Sequence, residues 1–189
     1  MTLLNRWALL NQVILNRLVF IKNHKGVLLS NINKTMSELM DLLPQQGKVE
    51  WMGIRPEKKK AIQSMENIIV TNMGLEGDHY AGRSGKRSVT LIQAEHIETI
   101  ASLLHREKVN PEDLRRNIVI RGINLLALKN REFKIGTAIL KMTGLCHPCS
   151  RMEQIFGEGG YNAVRGHGGI NASVVKTGVI KINDTVSVI

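Results

Sequence analysis

The two cysteines, Cys146 and Cys149, fall in one segment, Leu145-Cys146-His147-Pro148-Cys149-Ser150-Arg151. Strand-forming residues at 138–143 lead into it, and Met152, Ile155 and Phe156 give the next stretch the buried side of a short helix that ends at Gly157. Proline suits a first helical turn, where its missing N–H would have had no partner. The spacing therefore predicts a helix starting near Pro148, with Cys149 in its first turn. Unpaired N–H groups and the helix dipole favour negative charge there, and Arg151 and His147 add to the effect. A thiolate so placed can ligate a soft metal or accept a sulfur atom. The competing reading is packing, the commonest fate of a free cysteine. A thiol–disulfide oxidoreductase would set the pair in a βαβ pattern, and a zinc site would need a second ligand pair at a recognisable spacing; the sequence shows neither.

Three other segments carry polar groups on special backbone. Gly74-Leu75-Glu76-Gly77-Asp78-His79-Tyr80-Ala81-Gly82 permits a tight turn that projects Asp78 and His79, or is simply a turn around a satisfied carboxylate. In Arg115-Arg116-Asn117, two guanidinium groups and an amide can orient a phosphate or carboxylate, or be a solvated charge pair beside a strand. Gly166-His167-Gly168-Gly169 makes a flexible turn before a strand and offers backbone donors to an anion.

The elements that must position these groups are mostly strands. Runs rich in Val, Ile and Thr stand at 48–54, 67–71, 88–92, 117–120, 138–143, 172–176 and 185–189, separated by glycine-bearing loops. One longer helix is expected over 94–106, on the stripe Ile97, Ile100, Ala101 and Leu104, and a short one over 37–43 before Pro44. Many short strands with few helices indicate a mainly β (α+β) fold, a closed or nearly closed β-barrel decorated by short helices. A length of 189 residues suits one core plus an appendage.

We place the main domain at 36–189 and treat 1–35 as a basic extension. Five basic residues (Arg6, Arg17, Lys22, Lys25, Lys34) precede the first acidic one, Glu38, and supply half of the net charge of +10. Leu3, Trp7, Leu10, Ile14, Leu18 and Ile21 recur at helical spacing, so 3–21 reads as an amphipathic helix. It is a packed or partner-binding helix, a membrane-surface anchor, or sequence upstream of a start at Met36. Its longest apolar runs, Trp7 to Leu10 and Leu18 to Ile21, are four residues each, too short to span a bilayer, and it shows no secretory signal. Two cysteines build no disulfide framework, which points to a reducing, cytoplasmic location.

Taken in order, these segments resemble the MOSC domain family, named for the C-terminal domain of molybdenum cofactor sulfurases. The resemblance spans roughly 48–189 and rests on Gly74-Leu75-Glu76-Gly77-Asp78, on 88–92 followed by Glu95, on 115–120 with Gly122, on Phe133-Lys134-Ile135-Gly136, on Pro148-Cys149 and on Gly168-Gly169. It implies a β-barrel whose single cysteine, matching Cys149, binds molybdenum or carries sulfur as a persulfide. It also implies that Arg115, Arg116 and Asn117, with Asp78, His79, Arg87 and Gly168, hold the anionic pterin of molybdenum cofactor (molybdopterin). The expected function is cofactor binding, with reduction of N-hydroxylated compounds by a separate electron-transfer partner. The alternative is a non-enzymatic sulfur carrier loaded by a cysteine desulfurase. Larger members join the domain to a pyridoxal-phosphate desulfurase, so pyridoxal phosphate is not expected to bind this domain alone. No specific nucleic-acid partner is expected, and membrane contact is limited to 1–35. Asn183-Asp184 stands where the family often has Gly-Asp, and Cys146 has no counterpart.

Overall fold

The computed structural model describes residues 34–80 and 85–189. The amphipathic helix expected over 3–21 lies outside them. The chain divides into two units, the first ending at Leu43 and the second running from Pro44 to Ile189. In the first, helix α1 (Met36–Asp41) is held by a capping box: the Thr35 hydroxyl accepts from the Glu38 N–H at 3.2 Å, and the Glu38 carboxylate accepts from the Thr35 N–H at 2.7 Å.

In the second unit, the strands in chain order are β1 (Gly47–Ile54), β2 (Gln63–Ser64), β3 (Asn67–Thr71), β4 (Gly74–Leu75), β5 (Val89–Gln93), β6 (Ile118–Arg121), β7 (Glu132–Ile135), β8 (Ala138–Leu145), β9 (Ile170–Lys176), β10 (Gly178–Lys181) and β11 (Thr185–Val188). Seven of them form a mixed sheet in the order β11-β7-β8-β9-β5-β6-β1, and β11 pairs back onto β1, which closes the barrel. β2 extends β1, and β10, β3 and β4 form a separate small sheet. Alternation decides which side chains point inward. In β7, Phe133 and Ile135 are fully buried, whereas Lys134 between them is exposed.

β5 and β6 are parallel, so the chain must cross over between them. The crossover holds α2 (Ala94–Leu103) and the short α3 (Pro111–Leu114). α2 buries Ile97, Ile100 and Ala101 in one cluster with Leu114, Met152, Phe156 and Val164, the last three from α4 (Arg151–Phe156) and α5 (Gly160–Val164). That cluster seats the helix after the cysteines against the crossover. The pairing of β8 with β9 shifts register between Met142 and Gly144. Such a bulge bends a strand and re-aims the residues beyond it; here the end of β8 turns outward and Leu145 is exposed.

All seven expected strand runs are present, as is the long helix, which stops at Leu103. β2, β4, β7 and β10 were not anticipated; the first two are two residues long and the others four, too short for alternation to stand out. Among the described residues no helix is long and apolar enough to cross a membrane.

Candidate functional site

At one end of the barrel a cavity of about 220 Å³ is lined by groups from several elements: Arg55 after β1, His79 and Tyr80 after β4, Arg115 and Arg116 between α3 and β6, and Cys149 before α4. Lys58, Lys59 and Arg151 add positive charge to its wall.

Cys149 is exposed and Cys146 half-buried; both are free thiols. α4 begins at Arg151, so Cys149 lies just before the helix and not within its first turn as the sequence suggested. The Cys149 carbonyl accepts the Met152 N–H at 2.9 Å, which makes this residue the opening of the turn. Pro148 is buried and closes the segment coming off β8. The positive groups around the thiol are therefore side chains of the cavity.

Arg116 is the most constrained of these. Its guanidinium donates to three backbone carbonyls: Nε to Gly168 at 2.6 Å, Nη1 to Leu114 at 2.7 Å and Nη2 to Cys146 at 3.3 Å. Only 7% of the residue is exposed, and no carboxylate pairs with it among the described residues. Burial lowers its pKa; the Cys146 thiol opposes this, Arg55 reinforces it, and the Cys149 thiol opposes it. A buried cation without a counterion is costly, so this arrangement attracts anionic charge to the cavity. Gly168 accepts Arg116 and cannot carry a side chain, because a Cβ would run into the Cys146 carbonyl.

Arg55 went unnoticed in the sequence. It is 6% exposed, and its Nε and Nη2 grip the two oxygens of Asp78 at 2.9 and 3.2 Å. Burial alone would raise the Asp78 pKa, but the hydrogen bonds and charge of Arg55, with backbone N–H groups of Tyr80 and Arg55, bring it below its ordinary value. Asn117 is fully buried behind them: Oδ1 accepts from Arg55 at 2.8 Å and from the Thr90 hydroxyl at 2.8 Å, while Nδ2 donates to Asp78 at 2.7 Å and to the Gly53 carbonyl at 3.1 Å. Asp78 and Asn117 thus spend their polar atoms on the scaffold, fixing Arg55 beneath the Tyr80 ring at 4.5 Å from its centroid. The clue available in the sequence was an arginine ending an apolar strand run, just before Pro56.

His79 donates its backbone N–H and its Nδ1 proton to the Arg55 carbonyl, at 2.8 and 2.9 Å. Bonding to a carbonyl fixes the proton on Nδ1. Nε2 is buried and has no partner among the described residues. The structure thus brings together Cys149, Arg115, Arg116 and His79, with Gly168, Asp78 and Asn117 as supports. Arg87 is exposed ahead of β5 and does not line the cavity.

A sequence model of the MOSC domain matches residues 77–187. The chain belongs to the MOSC domain family. Several solved structures share its fold. The YUAD protein from Bacillus subtilis superposes with a TM-score of 0.68 at 18% identity, covering 77% of this chain and 97% of that one. YiiM from Geobacillus stearothermophilus gives 0.63 at 14% identity (76% and 75% covered), and YiiM from Escherichia coli 0.59 at 17% (75% and 69%). No curated protein matches the sequence. The matched region holds every cavity residue named above except Arg55, Lys58 and Lys59. Molybdenum cofactor is the group associated with the MOSC family.

Proposed function

We propose that this MOSC protein binds molybdenum cofactor in the cavity, with the Cys149 sulfur as metal ligand. One observation carries the reading: an exposed thiol shares a cavity with a buried guanidinium that has no carboxylate partner among the described residues. That donor set suits a soft metal attached to an anionic, phosphate-bearing organic group. When bound, the cofactor supplies two-electron redox chemistry at molybdenum.

The chain's own residues do the binding and orienting. Arg116, clamped by three carbonyls, gives a cation of fixed position, so little ordering is required when an anion arrives. Arg115 and Arg151 contribute further charge from the wall. The Nδ1 hydrogen bond to the Arg55 carbonyl fixes the His79 ring, and its buried Nε2 has no partner among the described residues. Arg55, Asp78 and Asn117 are positioning residues.

The protein, purified from molybdate-supplemented cells, should contain molybdenum and pterin, and Cys149→Ala should lose most of the metal. Equal content in the two proteins would falsify the reading. For the loaded protein we infer reduction of N-hydroxylated compounds with electrons from a separate donor. The assay is turnover of N-hydroxylated compounds, neutral and carboxylate-bearing, with a chemical reductant; a loaded protein that turns over neither kind removes this activity.

The exposure of Cys149 and the second thiol beside Arg116 favour one other reading, a sulfur carrier. Incubation with a cysteine desulfurase and cysteine would then add one sulfur atom at Cys149, read by mass spectrometry on metal-free protein. A chain that stays unmodified excludes it.

A further inference from the structure

A second, more open cavity of about 380 Å³ adjoins the first and shares Lys59, Arg115 and Arg151 with it. The dividing wall is Arg115, whose backbone adopts a left-handed conformation (φ 56°). Its Nη1 donates to the Lys60 carbonyl at 2.8 Å, and its own carbonyl accepts from Arg55 at 3.3 Å. A left-handed residue is a common way to end a helix. The left-handed turn is the C-cap of α3, and the hydrogen bond to the Lys60 carbonyl holds the guanidinium between the two cavities.

The charge on this wall is unbalanced. Burial lowers the Arg115 pKa first, then repulsion from Arg151 and Arg55; Tyr80 and Asp78 oppose these effects without overcoming them. Lys60 adds a cation to the second cavity, where Glu112 and Asp113 are the acidic lining residues. Ile62 and Ile155 supply an apolar surface on the same walls. Cations that repel one another across a cavity, beside apolar surface, suit an organic molecule carrying an oxyanion.

Building on the reading of Cys149 as the functional thiol, we propose that the small molecule reacting at this site is an organic oxyanion. It enters through the second cavity with its anionic end on Arg115 and Arg151 and its apolar body against Ile62 and Ile155. The proposal concerns selection by charge at the entrance, so it can fail while molybdenum binding stands, and the reverse.

The test is alkylation of Cys149 in the full chain by iodoacetate and by neutral iodoacetamide, resolved from Cys146 by fragment mass spectrometry. In both reactions the thiolate sulfur forms a bond to carbon and iodide leaves, so the ratio of the two rates, set against that of the denatured chain, reports how the site treats the reagent's charge. At low salt the iodoacetate-to-iodoacetamide ratio should exceed that of the denatured chain. It should fall roughly fivefold in Lys60→Glu and rise by about the same factor in Glu112→Lys, with the three proteins converging in high salt. Lys60 is exposed and Glu112 partly so, and circular dichroism will show that both variants fold. Inorganic phosphate or succinate should slow the iodoacetate reaction, and the stronger competitor identifies the oxyanion class. A ratio that is the same in all three proteins, or no protection by either anion, overturns the proposal.

Discussion

At the scale of single residues, the site is governed by two buried arginines handled in opposite ways. Arg55 is neutralised by Asp78, whereas Arg116 is solvated by carbonyls alone among the described residues. Asp78→Asn removes the partner of a buried cation and should cost about 3–5 kcal/mol in urea unfolding. Arg116→Met leaves three carbonyls without their donor and should cost roughly 3 kcal/mol, while also weakening the protection of Cys149 by added anions. Acid sensitivity separates the two. The Asp78 pKa is lowered on folding, so its stabilisation is complete above the ordinary value of 3.8 and disappears as pH falls through the lower folded value. An acid titration of stability should show that loss in the wild type and not in Asp78→Asn. Sequence alone brought Cys149 and Arg116 forward, because a thiol and paired guanidinium groups have distinctive chemistry. It could not sort Arg115, Arg116 and Asn117, which read as one cluster. Neighbouring residues point in different directions, so Arg115 faces the cavity wall and Asn117 the interior.

At the scale of elements, the cavity depends on how closely the loop before β9 approaches β5 and the cysteine segment. A Cβ on Gly169 would collide with the Leu91 carbonyl and approach the Ile92 Cα at 2.9 Å, and the residue sits at φ 83°. Gly169→Ala should destabilise by roughly 2–4 kcal/mol, from backbone strain plus overpacking, measured as a lowered urea midpoint. The same loop carries His167, whose ring meets His96 of α2 edge-on at 5.2 Å between centroids. Burial lowers the His96 pKa, His167 lowers it further, and Glu95 opposes both. The folded state therefore resists protonation at His96. Stability should be flat above the ordinary value of 6.5 and fall as pH drops below it, because the unfolded chain takes up the proton first. Urea midpoints between about pH 8 and pH 5.5 should show this slope, and His96→Gln should flatten it. The strands and α2 were legible because β-branched runs and a regular apolar stripe are local signals. The start of α4 was misplaced because Pro148 fits both a first helical turn and the end of an extended segment.

At the scale of the whole molecule, the division at Pro44 and the closure of the barrel make different demands on the two ends of the chain. The strands β1 to β11 pair among themselves, so the fragment 44–189 should unfold in a single cooperative thermal transition without residues 1–43. Removing 185–189 takes away β11, which bonds to both β1 and β7, and should abolish that transition. Closure also has a consequence for biosynthesis. The first strand of the barrel waits for β11, so a chain still being made holds β1 with an unpaired edge until β11 has been made. Long-range pairing of this kind slows folding and leaves edges open to wrong partners. The elements that carry the cavity hang on that barrel, so the Cys149 thiol should become protected by added anions only after β11 has paired with β1 and β7.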